Sequence, residues 1–151
     1  MQSLETKGLD ELADKIGKIL DEMPDRRRKL HETLAAKPKS SIDAEISVSV
    51  NDSHGKIRGW QEAAVGSGGG YAAVRAVKGA TGADSPGAIT NYLENGHKIR
   101  PAGSGKNYRP RIKVPYVNGH HFYATVRGRV VSEVMAAGED FINEIARDMQ
   151  K

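Results

Sequence analysis

Leu9, Leu12, Ile16, Ile19, Leu20 and Met23 recur at helical spacing and form one apolar stripe. Asp10, Glu11, Asp14, Lys15, Lys18, Asp21 and Glu22 fill the opposite face. Pro24 interrupts, yet the spacing continues in phase through Leu30 and Leu34. The pattern predicts one helix kinked at Pro24, or a second helix opening there with Asp25 in its first turn; Pro38 then ends the segment. Residues 42–50 alternate strictly. Ile42, Ala44, Ile46, Val48 and Val50 share one side and Asp43, Glu45, Ser47 and Ser49 the other, which predicts a strand.

Asn51-Asp52-Ser53-His54-Gly55 is turn chemistry. Strands are predicted over 57–65 and 71–77, joined by the glycine-rich residues 66–70 as a flexible hairpin tip or loop. Residues 79–87 read as loop. Asp84-Ser85-Pro86 then opens a short helix over 86–95 that Gly96 terminates. Residues 97–112 have no usable period and read as a long mobile loop. Asn118-Gly119 predicts a hairpin between strands at 113–117 and 122–127. Val131, Val134, Met135, Gly138, Phe141, Ile142, Ile145 and Met149 mark a last helix. The expected fold class is α+β, a single domain over 1–151 with a small antiparallel sheet, long amphipathic helices at both ends and one short helix.

Composition narrows the chemistry. The 151 residues are 38% apolar and 28% charged, which suits a globular chain with a modest core. There is no cysteine, so thiolate metal sites, disulfides and a cysteine nucleophile are excluded. No apolar run approaches the roughly 18 residues of a membrane span. The N-terminus lacks the pattern of a signal peptide, and synthesis in the cytoplasm is expected. The net charge of +4 is mild. Its distribution is not: from His97 to Arg129 there is no Asp or Glu.

That stretch holds Lys98, Arg100, Lys106, Tyr108, Arg109, Arg111 and Lys113, basic side chains around an aromatic that can meet phosphates and stack a base. A charged loop facing an acidic protein surface has the same composition. Gly103-Ser104-Gly105-Lys106 is not a phosphate loop, because that pattern needs Gly and Ser or Thr where Arg100 and Asn107 stand. His120 and His121 are adjacent, so on a strand their rings point to opposite faces and do not chelate one ion. Ser104 and Ser132 lie in no nucleophile motif. No catalytic set, metal site or cofactor is expected.

Two segments carry a family resemblance. Gly8-Leu9-Asp10-Glu11-Leu12 opens the first helix, and Ile89-Thr90-Asn91-Tyr92-Leu93-Glu94-Asn95-Gly96-His97 precedes the basic loop. Both resemble the neck and tail-completion (tail-component, lambda Z-like) proteins of tailed bacteriophages, in which a similar hydrophobic–Glu–x–Gly–His/Thr element comes before a variable basic loop and a long C-terminal helix. The resemblance implies a non-enzymatic virion protein at the head–tail interface or tail end. Its subunits would form a homo-oligomeric ring, expected to be a hexamer, joining head-completion or adaptor proteins to the tail tube. It further implies that Tyr92, Leu93, Glu94, Gly96 and His97 hold a structural corner. Loops 66–70 and 98–112 would then carry partner contacts, with packaged DNA close by. The alternative reading is a small nucleic-acid-binding module using the basic loop 98–113.

Overall fold

The computed structural model describes residues 7–99 and 116–150. The chain is α+β and mostly helical. In order it forms α1 (Lys7–Ser49), α2 (Lys56–Gly59), β1 (Gln61–Val65), β2 (Ala72–Ala76), α3 (Pro86–Asn95), β3 (His97–Lys98), β4 (Tyr116–Val117) and α4 (Phe122–Gln150). β1 pairs with β2, and β3 pairs antiparallel with β4, His97 facing Val117 and Lys98 facing Tyr116. Of the predicted contact residues, Arg100, Lys106, Tyr108, Arg109, Arg111 and Lys113 lie outside the described residues. Among those described, no helix is long and apolar enough to cross a membrane.

α1 corrects two expectations. It runs through both Pro24 and Pro38, and residues 42–49 continue it instead of forming a strand. Burial supplies the reason. Ala35, Ile42 and Ile46 fall on one helical face and are buried, Ile46 completely. A strand would have turned Ala44 and Val48 to the same side as Ile42, yet both are exposed, Val48 at 86%. The alternating pattern thus contained a helical subset, and tertiary burial outweighed β-branched propensity and the missing proline N–H. Ser47 and Ser49 hydroxyls donate to the carbonyls of Asp43 and Glu45, both at 2.8 Å, which removes them as strand-forming polar positions.

The strand expected over 57–65 is shorter, because Lys56–Gly59 forms one helical turn. The Asp52 carboxylate accepts from the Ile57 and Arg58 amides, both at 3.0 Å, and so caps that turn. Burial pushes the Asp52 carboxyl up, but the amides of Arg58 and Ile57 and the Arg58 guanidinium outweigh it and leave it below its ordinary value. The 71–77 strand is found as Ala72–Ala76. The expected 86–95 helix is Pro86–Asn95, with Ser85 Oγ accepting from the Ala88 amide at 3.2 Å. The hairpin expected at Asn118-Gly119 does not form. Tyr116–Val117 pairs with His97–Lys98, and the chain enters α4 at Phe122.

The chain divides into two compact units. One comprises residues up to Lys37, Ala63–Ala73 and residues from Arg129. It buries Ile19 and Ala35. Its groove of about 690 Å³ is lined by charged side chains of α1 and α4, including Arg26, Lys29, Asp140 and Glu144. Arg26 meets Glu22 and Asp148 at 2.7 Å each and Glu144 at 3.5 Å. The Asp148 hydrogen bond, then that of Glu22, raises the guanidinium pKa. The glycine-rich tip belongs here too: Gly69 donates to the Gly66 carbonyl at 2.8 Å, and Arg27 donates to the Gly68 carbonyl at 3.0 Å. The other unit, Pro38–Glu62 with Val74–Gly128, has a core of Ile42, Ile46, Phe122 and Val126.

Candidate functional site

The segment Leu93–His97 builds a junction between the end of α3 and the start of α4. A helix leaves its last four carbonyls without intrahelical partners. Here those of Leu93, Glu94 and Asn95 are met from outside the helix, after a last helical bond at Tyr92. Tyr92 O accepts from Gly96 N at 2.8 Å, Leu93 O from His120 N at 2.7 Å, and Glu94 O from His121 N at 3.1 Å. Asn95 O accepts from the Tyr116 hydroxyl at 2.8 Å. In return, the Glu94 carboxylate accepts from the first amides of α4, Tyr123 N at 2.9 Å and Ala124 N at 3.0 Å. One glutamate therefore ends one helix through its backbone and caps another through its side chain. Its negative charge also suits the positive end of α4.

Two glycines make this approach possible. Gly96 has φ +75°, and a Cβ there would press on Val117 O, the Tyr116 hydroxyl and Gly119 N. A Cβ at Gly119 would strike the Glu94 carbonyl and the Asn95–Gly96 backbone. Asn118-Gly119 is thus a crossing point, where the chain passes over the end of α3. His121 has φ +53° as the chain turns into α4.

A buried polar chain supports the junction. Gln61 is 3% exposed; its Nε2 donates to Ile57 O at 2.9 Å and to Thr90 Oγ1 at 3.3 Å. Its Oε1 accepts from the Tyr123 hydroxyl. Burial, followed by the Glu94 and Asp43 charges, pushes the Tyr123 phenol up to about 12. Phe122 and Val126 lie on one face of the first turns of α4 and are almost wholly buried. They anchor that helix where a strand was expected.

The sequence-predicted residues separate into three groups. Tyr92, Leu93, Glu94, Gly96 and His97 are brought together, with the Tyr92 and His97 ring centroids 5.2 Å apart. Lys98 is exposed on β3, at the start of the basic stretch. The other basic candidates are outside the described residues. His120 and His121 are exposed, but not on a hairpin: their backbone amides cap α3. Sequence reasoning missed Gln61, Tyr116, Gly119 and Tyr123, because their partners lie 21 or more positions away or on the backbone. Among the described residues, no group of three or more His, Asp or Glu is placed to hold a metal ion. Comparison of the chain with protein families, with curated proteins and with solved structures finds no match.

Proposed function

We propose that this chain is a structural virion subunit of a tailed phage or prophage. In this reading it is a neck or tail-completion protein that assembles with copies of itself into a ring joining head-completion proteins to the tail. The observation that carries the reading is the apolar surface of the long helices. On α1, Leu9, Leu12, Ile16 and Leu20 are all exposed, Leu9 at 65%. On α4, Val131, Val134, Met135, Ile142 and Met149 are exposed, Ile142 at 65%. Apolar stripes of this length mark surfaces that a partner covers. Six apolar side chains make up the buried core among the described residues, little for a chain of 151.

The phage assignment draws on the Leu93–His97 resemblance. A Glu followed by Gly two positions later has a physical use here: the Glu caps α4 and the Gly admits the crossing chain. The basic stretch then leaves from a braced corner, which suits a contact loop. The decisive experiment is electron microscopy of particles assembled without the protein. The expected result is heads and tails that remain unjoined; normal, tail-bearing, infectious particles overturn the proposal.

Lys98, Arg127 and Arg129 are exposed, which favours a second reading as a nucleic-acid-binding module. Binding to duplex or single-stranded DNA that weakens steeply with salt supports that reading, and no binding at low ionic strength removes it.

A further inference from the structure

The unit built from the outer parts of α1 and α4 carries two apolar stripes. Leu9, Leu12, Ile16 and Leu20 form one on α1, and Val131, Met135, Ile142 and Met149 form the other on α4; all eight are exposed. The groove that the two helices share in this unit is lined by Arg26, Lys29 and Thr33 of α1 and by Ala137, Asp140 and Glu144 of α4. At 3.6 residues per turn the α1 stripe is centred roughly 110° from its groove side, and the α4 stripe roughly 160° from its own. Neither stripe therefore faces the groove.

Both stripes have the character of a helix-packing seam. The α1 stripe advances in steps of three and four residues, and so does the run Val131, Met135, Gly138, Ile142 on α4. From Leu9 to Met23 no charged residue falls on the α1 face, and from Val131 to Met149 only Glu139 borders the α4 face. Each stripe leaves roughly 400 Å² in water, comparable to the largest apolar patch on a typical monomer. Interfaces are about 60% apolar, so a contact that covers one stripe of each kind removes about 1,300 Å² in total, within the range of stable interfaces. A polar partner covering one stripe alone reaches only about half of that.

We propose that the α1 stripe of one copy packs along the α4 stripe of a second copy of this chain. Each stripe is what the other needs: apolar, uncharged, and of matching period and area. The shapes agree at the centre. Gly138 leaves a gap in the α4 stripe, with open space where a side chain would stand, and Ile16 is a branched knob in the middle of the α1 stripe. Ala13 and Gly17 flank that knob, small enough for the helices to approach closely beside Glu139. Two α4 stripes fit each other less well. Antiparallel, they set Glu139 beside Glu139; parallel, they set Gly138 against Gly138 and leave the gap unfilled. Either way the α1 stripes stay in water. Because the two stripes are different surfaces, the α1-to-α4 contact is head to tail and repeats, the type that closes into a ring when the rotation allows it. The inference rests on the assembly reading above and names the interface it would use.

Because the chain has no cysteine, a cross-link between introduced thiols has no background. Ile16→Cys and Ile142→Cys proteins are mixed and treated with a short bis-maleimide. The expected product is a covalent heterodimer formed in excess of the homodimers of either protein alone. Ile142→Cys cross-linking mainly to itself indicates α4-to-α4 pairing and overturns the proposal, as does no cross-link at any concentration. In parallel, Leu20→Gln and Ile142→Gln are compared with the unaltered chain by sedimentation velocity. Each is expected to weaken self-association about tenfold, the contribution of burying one large aliphatic side chain. Circular dichroism should not change, because both side chains are exposed in the single chain. Self-association undiminished in both variants overturns the stripe contact but leaves the assembly reading intact. That reading fails separately, in the particle imaging.

Discussion

Four of the six buried apolar side chains, Ile42, Ile46, Phe122 and Val126, lie in the unit that contains the α3–α4 junction. Among the described residues, the unit built from the outer parts of α1 and α4 buries only the apolar side chains Ile19 and Ala35 and exposes nine large aliphatic ones. Both units hold ion pairs, such as Arg75–Glu62 in the first and Arg26–Asp148 in the second, but the first adds carboxylate caps. In the first, carboxylates cap backbone amides, as Glu94 does for α4 and Asp52 for α2. In the second, charges meet charges at the surface, as around Arg26. Buried caps fix one geometry, whereas exposed ion pairs contribute little. The comparison teaches that one region holds most of the packed apolar core, while the other leaves long apolar stripes in water.

The contrast can be broken most forcefully at Phe122, which is 0% exposed. Phe122→Ala is expected to cost about 3–5 kcal/mol of unfolding free energy in urea titration, as for other buried aromatics. A loss below about 1 kcal/mol would show that the junction unit is not the stable part. Next comes Gly119→Ala, whose methyl group meets the Glu94 carbonyl and the Asn95–Gly96 backbone. It should cost about 2–3 kcal/mol, whereas Gly138→Ala, mid-helix with open space around it, should stabilise by about 0.5–1 kcal/mol. Glu94→Ala leaves the Tyr123 and Ala124 amides uncapped and should cost about 1–2 kcal/mol, with faster hydrogen exchange at those two positions.

pH sharpens the same comparison. In the folded chain the Tyr123 phenol sits near 12, against 10.0 ordinarily. The unfolded chain therefore gives up this proton first as pH rises. Stability from the buried neutral phenol is full below pH 10.0 and is lost as pH climbs to about 12. Tyr123→Phe should flatten that alkaline limb in chemical unfolding curves; an unchanged slope removes the claim. Asp52 works at the other end. Its folded pKa is depressed below 3.8, so its contribution is present above that pH and fades below it, and Asp52→Asn should lose this acid sensitivity.

The smallest effect on stability belongs to the exposed stripe. Leu9→Gln or Leu20→Gln should leave the unfolding midpoint of the isolated chain within experimental scatter, because both side chains are already in water. The same variants should fail to complement particle assembly. A large loss of stability in the isolated chain would mean that the stripe is covered within one molecule.

Periodicity, caps and punctuation were enough for part of this protein. The short helix is legible from Ser85-Pro86 and Gly96, because both signals act within one turn. The two long amphipathic helices, the ribbon and the α+β class follow from spacing alone. What no local pattern contained was the choice between helix and strand at 42–50, and between hairpin and helix at 118–127. Each segment satisfies both periods on paper. Burial of Ile42 and Ile46 decided the first, and burial of Phe122 and Val126 together with the Glu94 cap, 29 residues away, decided the second. Spacing along a chain records which side chains could share a face. Only the packed structure supplies the neighbour that makes one face the buried one.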